Sequence, residues 1–123
     1  MGDIYEHPYG RTITDADNVW LTNLTMNTSR LHFDYAYAAQ TAFGKPVVNS
    51  ALTLAPATGL SVIDISENAF ANLGWVHVRL PHPLFVWDTL YAGSEVLETR
   101  DSKTRSESGL FVSERAHTSR TAP

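Results

Sequence analysis

The chain contains no cysteine. That removes a disulfide framework and thiolate chemistry, and any zinc site would have to be built from histidines and carboxylates alone. No apolar run approaches the roughly 20 residues of a membrane-spanning helix. An excess of basic residues is also missing. Nine Lys and Arg against thirteen Asp and Glu leave a net charge of -4, which argues against nucleic acid as the main partner, since phosphate binding needs a basic surface. The opening residues, MGDIYEHPYG, are polar and acidic and lack the pattern of a secretory signal. Asn23-Leu24-Thr25 and Asn27-Thr28-Ser29 match the glycosylation acceptor pattern, a coincidence in a chain with no such signal. The expectation is a cytoplasmic globular protein. Its 123 residues make one domain that can bury a core without staples.

What is present begins with a helix signal. In TITDADNVWLTNLTMN, Thr14 can cap and Asp17 stands three residues on, a capping box with Asp in the acidic position. Asp15 and Asp17 suit the positive end of the helix dipole. Val19, Trp20, Leu24 and Met26 give a rough apolar face. Asn23, Asn27, Thr28 and Ser29 then favour caps and turns over helix. Asp34 is placed to cap a short second helix in YAYAAQTAFG, with Gly44 ending it and Pro46 preventing a restart. The segment SALTLAPATGLSVIDISENAF leaves little polar face, so the pattern predicts a long buried helix, kinked at Pro56.

The remainder predicts strands. GWVHVRL alternates Trp75, His77 and Arg79 against Val76, Val78 and Leu80, the period of a half-buried strand. TLYAGSEVLETR and GLFVSER are the next two, separated by the polar DSKTRSES. Five of the nine basic residues lie from Arg100 onward. Residues 1–9 form an N-terminal arm, and residues 116–123, AHTSRTAP, have the look of a tail without regular structure. Helices first, then an antiparallel meander, gives an α+β class, a sheet wrapped around a central helix.

The stretch GRTITDADNVWLTNLTMNTSRLHFDYAYAAQTAFGKPVVNSALTLAPATGLSV, continued by SENAFANLGWVHVRLPHPLF and DTLYAGSEVLETRDSKTR, resembles the MaoC-like dehydratases, the (R)-specific enoyl-CoA hydratase branch of the hotdog fold. It is most similar to the mesaconyl-CoA hydratase (β-methylmalyl-CoA dehydratase) type. The resemblance implies a single hotdog domain, usually dimeric, that adds water reversibly to the double bond of an enoyl-CoA thioester without a cofactor. It places the catalytic pair, here an Asn five residues before a His, at Asn27 and His32. It puts the opening of the central helix at Asn49 and Ser50, and the pocket-lining hydroxyl deeper in that helix at Thr58. Three positions depart from the family's pattern. Pro56 stands where an apolar residue is usual, Trp87 replaces a Gly before Asp88-Thr89, and AHTSRTAP stands where a further strand and a half is expected. The expectation is therefore a sheet lacking its last strand.

Hydration of an unsaturated thioester needs a base for the water, a proton for Cα and donors for the enolate-like oxygen. Histidine is the side chain whose charge changes near neutral pH, so His32 is the expected general base. An ordinary loop histidine is the alternative. Asn27 cannot act as a base, but its amide can hold the water. Backbone amides of Ser50 and Ala51 at the helix start are the expected oxyanion donors, with Asn49 as cap. Thr58 either lines the acyl pocket or bonds back to the carbonyl of Leu54. Arg30 and Lys45 are candidate contacts for the CoA phosphates or simply solvated. Asp34 reads as a cap, and His77 and His82 lack metal-like spacing, so no metal is expected. The rival functions are a non-catalytic acyl-CoA-binding or structural hotdog subunit and, last, an acyl-CoA thioesterase, for which the helix offers only Asp64 and Glu67 near its far end.

Overall fold

The computed structural model describes residues 2–105 and 109–121, the part from Leu110 onward as backbone only. Strands β1 (Ile4–Glu6) and β2 (Arg11–Thr12) precede helix α1 (Asp15–Leu24), a 3-10 turn at Arg30–His32 and the short helix α2 (Tyr35–Ala38). Helix α3 (Ser50–Leu60) runs into a π-helical turn at Val62–Ser66. Two long strands, β3 (Asp88–Asp101) and β4 (Gly109–Thr121), complete the order.

β3 is the organising strand. β4 pairs antiparallel along one of its edges from Asp101↔Gly109 to Asp88↔Thr121. β1 and β2 share the other edge, through Ile4↔Glu95 and Arg11↔Leu90. Asp88, Leu90, Ala92 and Ser94 point inward by the alternation of the pleat, and all four are buried. Ile13, Val48, Leu52, Leu84 and Leu90 form the apolar core. Full burial of a side chain such as Ile13 or Leu90 contributes about 2 kcal/mol.

The caps form as the sequence predicts. Thr14 and Asp17 make the reciprocal capping box. Burial pushes the Asp17 carboxyl up, but hydrogen bonds from Thr14 and the Arg11 guanidinium outweigh it and hold Asp17 below its ordinary value. Asp34 accepts from the amide of Tyr37 and caps α2. The Tyr35 phenol donates to Asp15, which ties α2 to the start of α1 and pushes that phenol up to about 12.

Four expectations are corrected. The apolar face of α1 is not the buried one: Trp20, Leu24 and Met26 are exposed, while Asn18 and Thr22 are buried. Polar groups face inward here because the neighbouring segments offer them hydrogen bonds. The central helix is shorter than predicted, since α3 ends at Leu60 and only the π turn continues it. Its residues are not all covered either: Ala51, Ala55, Gly59 and Ile63 are exposed. The expected strand at Gly74–Leu80 does not form. That segment is irregular and exposed, because an alternating pattern makes a strand only where a neighbour supplies the ladder. Conversely, residues 116–121, expected to lack regular structure, extend β4. The edge of β3 is open to them down to Asp88, and backbone pairing does not require apolar side chains.

Pro56 sits within α3, which continues unbroken around it. Trp87 has φ 75, which accounts for glycine being usual at this position in the resembling sequences. The turn around it is closed by Trp87 donating to Ile13 O at 2.7 Å and Phe85 donating to the Asp88 carboxylate at 3.0 Å. A left-handed conformation costs an L-residue about 1–2 kcal/mol, and glycine returns about 0.5–1 kcal/mol of that through chain entropy. With its side chain 57% exposed, little packing is lost. Trp87→Gly is expected to stabilise the fold by about 0.5–1 kcal/mol, read as a higher urea midpoint. A lower midpoint would show that the exposed indole makes a contact worth more than the strain.

Candidate active site

The site grows from the end of α1. Asn27 donates its amide to the carbonyl of Thr22 and Met26 donates to Asn23, both at 3.0 Å, with Met26 at φ 55. This is a Schellman ending with methionine where glycine is usual, and it sets the position of Asn27. The Asn27 side chain is half-buried. Its Oδ1 accepts from the amide of Ser29 at 2.9 Å, so one lone pair of that oxygen is used in the turn, and the NH2 is its donor. The carbonyl of Ser29 in turn accepts from the amide of His32 at 3.2 Å.

His32 is half-buried in the 3-10 turn. Its Nδ1 lies 2.7 Å from the carbonyl oxygen of Val47. A carbonyl can only accept, so Nδ1 carries the proton and, in the neutral ring, Nε2 carries the lone pair. That is the tautomer a general base needs. The carbonyl is the orienting group beneath it.

Asn18 holds this arrangement together. It is 1% exposed. Its Nδ2 donates to the carbonyl of His32 at 2.9 Å and to that of Val47 at 3.3 Å, and its Oδ1 accepts from the amide of Asn49 at 2.9 Å. One side chain therefore joins α1, the histidine turn and the entry to α3. Asn49 Nδ2 donates to Thr22 Oγ1 at 3.3 Å, which adds a second tie. Asn18 and Thr22 went unrecognised in the sequence pattern. The available signal was the polar stripe Thr14, Asn18, Thr22 at helical spacing, with a poor helix former at its centre.

At the start of α3, Asn49 caps as expected, but its Oδ1 accepts from the amide of Ala51 at 2.9 Å. Ala51 is thus corrected as an open oxyanion donor: its N–H is already satisfied by the cap. The amide of Ser50, the first of the helix, has no acceptor within the helix, and Ser50 is exposed. Thr58 lies two turns further on. Its Oγ1 is buried without a hydrogen-bond partner among the described residues, so the expected alternative of a bond to Leu54 is not made. The two basic candidates are engaged locally. Arg30 makes two bonds to Asp34, at 2.9 and 2.7 Å, and lies 4.6 Å over the Tyr37 ring. Lys45 lies 4.4 Å over Phe85. Both remain exposed. His77 and His82 are exposed on the irregular segment, away from the turn.

Asn18 thus joins His32 and Asn49, and Thr22 joins Asn49 to Asn27 through its hydroxyl and its carbonyl, with Ser50 next to Asn49 in the chain. Replacing Asn18 with Leu keeps the volume but removes the partner of the buried Asn49 amide and of the His32 carbonyl, while the Val47 carbonyl keeps His32 Nδ1. At about 1–3 kcal/mol for a buried orphan donor, Asn18→Leu should cost about 3 kcal/mol and lower Tm by on the order of 10 °C. Asn18→Asp should not rescue, because it sets an acceptor against the carbonyls of His32 and Val47. A Leu variant as stable as wild type would refute this role for Asn18.

Known proteins share both the sequence and the shape. A family model described as MaoC like domain matches residues 1–115. The chain is 30% identical over 111 residues to the β-methylmalyl-CoA dehydratase of Chloroflexus aurantiacus, covering 90% of this chain and 31% of that protein. A MaoC domain protein dehydratase from the same organism superposes with a TM-score of 0.91 at 28% identity, over 97% of this chain and 34% of the other. An (R)-hydratase from A. caviae involved in PHA biosynthesis gives 0.67 at 28% identity, over 83% and 75%. The chain spans about a third of the length of the two Chloroflexus relatives. By sequence, by its α+β hotdog architecture and by the order of its elements, this chain belongs to the MaoC-like dehydratase family.

Proposed function

We propose that this domain is a hydro-lyase catalysing the reversible hydration of a short-chain enoyl-CoA to the 3-hydroxyacyl-CoA, with a mesaconyl-CoA-like branched or dicarboxylic acyl group as the preferred substrate. The observation that carries this reading is the 2.7 Å contact between His32 Nδ1 and the Val47 carbonyl, which leaves Nε2 as the basic atom. Nε2 takes the proton of a water that attacks Cβ and, as an acid, returns a proton to Cα. The Asn27 NH2 orients that water, with the side chain itself held by the bond its Oδ1 accepts from Ser29. The amide of Ser50, with the favourable end of the α3 dipole, faces the thioester oxygen as charge develops there. Thr58 Oγ1, buried without a partner, is assigned to the acyl pocket, where a substrate group would satisfy it. Arg30 and Lys45 are exposed cations near the turn and stay assigned to the CoA phosphates. Engaging them would exchange their local ring and carboxylate contacts for phosphate. No cofactor takes part in this scheme.

The capped amide of Ala51 and the local pairing of Arg30 favour a second reading, a non-catalytic acyl-CoA-binding or structural hotdog subunit. Hydration of crotonyl-CoA and mesaconyl-CoA, followed by loss of enoyl absorbance, separates the two. Wild type is expected to turn over, and His32→Ala to lose about 10²–10⁴-fold in kcat, the usual scale for a general acid–base. Folded wild type without turnover would sink the enzyme reading. Turnover that survives in His32→Ala would sink the assignment of the base.

The same reading includes a homodimer of this chain. Phe70, Leu73 and Val76 are 86%, 77% and 83% exposed, on an irregular segment that carries a strand-like alternation with no partner strand among the described residues. Large apolar side chains exposed along one segment point to an interaction site, and a second copy would supply a ladder for it by strand addition. Light scattering should give twice the 13.6 kDa chain mass, and Val76→Glu with Phe70→Glu should shift it toward one. A monomeric wild type would overturn this assembly.

A further inference from the structure

A second hydrogen-bonded chain, buried at His7 and Ser94 and reaching the surface at Asp64, lies at the far end of α3. His7, just beyond β1, is 6% exposed, and Ser94 on the inward face of β3 is 3% exposed. His7 Nδ1 is 2.6 Å from Asp64 Oδ2, and His7 Nε2 is 2.9 Å from Ser94 Oγ. A carboxylate only accepts, so Nδ1 donates to Asp64, and in the neutral ring Nε2 accepts from the Ser94 hydroxyl. The order serine, histidine, carboxylate is that of an activated nucleophile. Burial argues against that use here. A reacting carbonyl must come within about 3 Å of the serine oxygen, and Ser94 lies between the sheet and the helix with almost no open surface.

What the chain does mechanically is clearer. Asp64 sits in the π turn that continues α3, and its side chain, 31% exposed, reaches back to the buried ring of His7. The buried imidazole N–H is the group that needs a partner, and Asp64 provides it. His7 itself is fixed to the sheet by its amide, which donates to Ala92 O at 3.0 Å. From Asp64 the backbone runs back through Ile65 donating to Ser61 O at 2.9 Å and Glu67 donating to Val62 O at 2.7 Å. Ser61 Oγ then donates to the carbonyl of Thr58 at 2.8 Å. A short, fully hydrogen-bonded path thus joins the sheet to the residue whose hydroxyl is buried without a partner.

We propose that His7, Asp64 and Ser94 form a positioning clamp that fixes the end of α3 against the sheet and so holds Thr58 in register with the acyl group. The three are positioning residues, because none touches the reacting atoms. The link to Thr58 rests on the hydratase reading above, whereas the clamp itself does not. Π turns inside or after α-helices cost regular hydrogen bonding and recur at functional sites, and here the turn delivers Asp64 to His7.

The test uses the whole chain and two readouts. Amide hydrogen exchange at Ile65 and Glu67 should accelerate at least tenfold in Asp64→Ala and in His7→Ala. Asp64→Asn, whose Oδ1 still accepts from Nδ1–H, should stay near the wild-type rate. In the crotonyl-CoA assay, Asp64→Ala should raise KM about fivefold or more with kcat within twofold, and Asp64→Asn should restore KM. Ser94→Ala, milder in packing, should lie between. Unchanged exchange in both Ala variants would overturn the clamp. So would Asp64→Asn behaving like Asp64→Ala, or labelling of Ser94 by a fluorophosphonate, which would make the trio a nucleophilic centre instead. A wild type without turnover defeats the hydratase reading and the link to Thr58, while the exchange rates still decide the clamp.

Discussion

The buried side chain of Asn18 carries the arrangement of the candidate site. It gives two donors and one acceptor, and all three are used on backbone groups from segments far apart in sequence. A buried amide so saturated is worth several hydrogen bonds and, more to the point, leaves no tolerable alternative placement. The histidine turn, the residues before α3 and the body of α1 are set relative to one another by that geometry. The apolar core alone could not do this, because its contacts are non-directional.

The same economy recurs at the other end of α3. There, too, a polar contact joins layers that the apolar residues merely bring close. His7 meets Asp64 and Ser94 as Asn18 meets His32 and Asn49. Between them, among the described residues, lies an apolar cluster that includes Ile13 and Leu90. Directional bonds at both ends of one helix, with apolar packing between, fix its rotation and its height above the sheet.

The chemistry follows from which lone pairs are already used. Val47 O occupies Nδ1 of His32, so the basic nitrogen is determined by a backbone atom that no side-chain pattern encodes. Ser29 N uses one lone pair of the Asn27 oxygen, and the NH2 of Asn27 is its donor. Asn49 occupies the amide of Ala51, which leaves Ser50 of the two expected donors as the proposed oxyanion contact. Each assignment is one of hydrogen-bond accounting, and each narrows a role that the residue types alone left broad.

Local chemistry was legible in the sequence. The capping box of Thr14 and Asp17 and the caps at Asp34 and Asn49 depend on residues within a few positions of one another and form where the pattern places them, and the strand read over residues 89–100 forms as Asp88–Asp101. The family resemblance singled out Asn27 and His32. Long-range partners were not legible. The burial of Asn18 in place of Trp20, the failure of Gly74–Leu80 to form a strand, the pairing of residues 116–121 with β3 and the meeting of His7 with Asp64 each depend on what another segment offers. Sequence alone determined the caps and the strand beside them, because those are set by neighbouring residues. The tertiary structure decided which face of α1 is inside and which nitrogen of His32 is basic, because a hydrogen bond is specified only when both partners are in place.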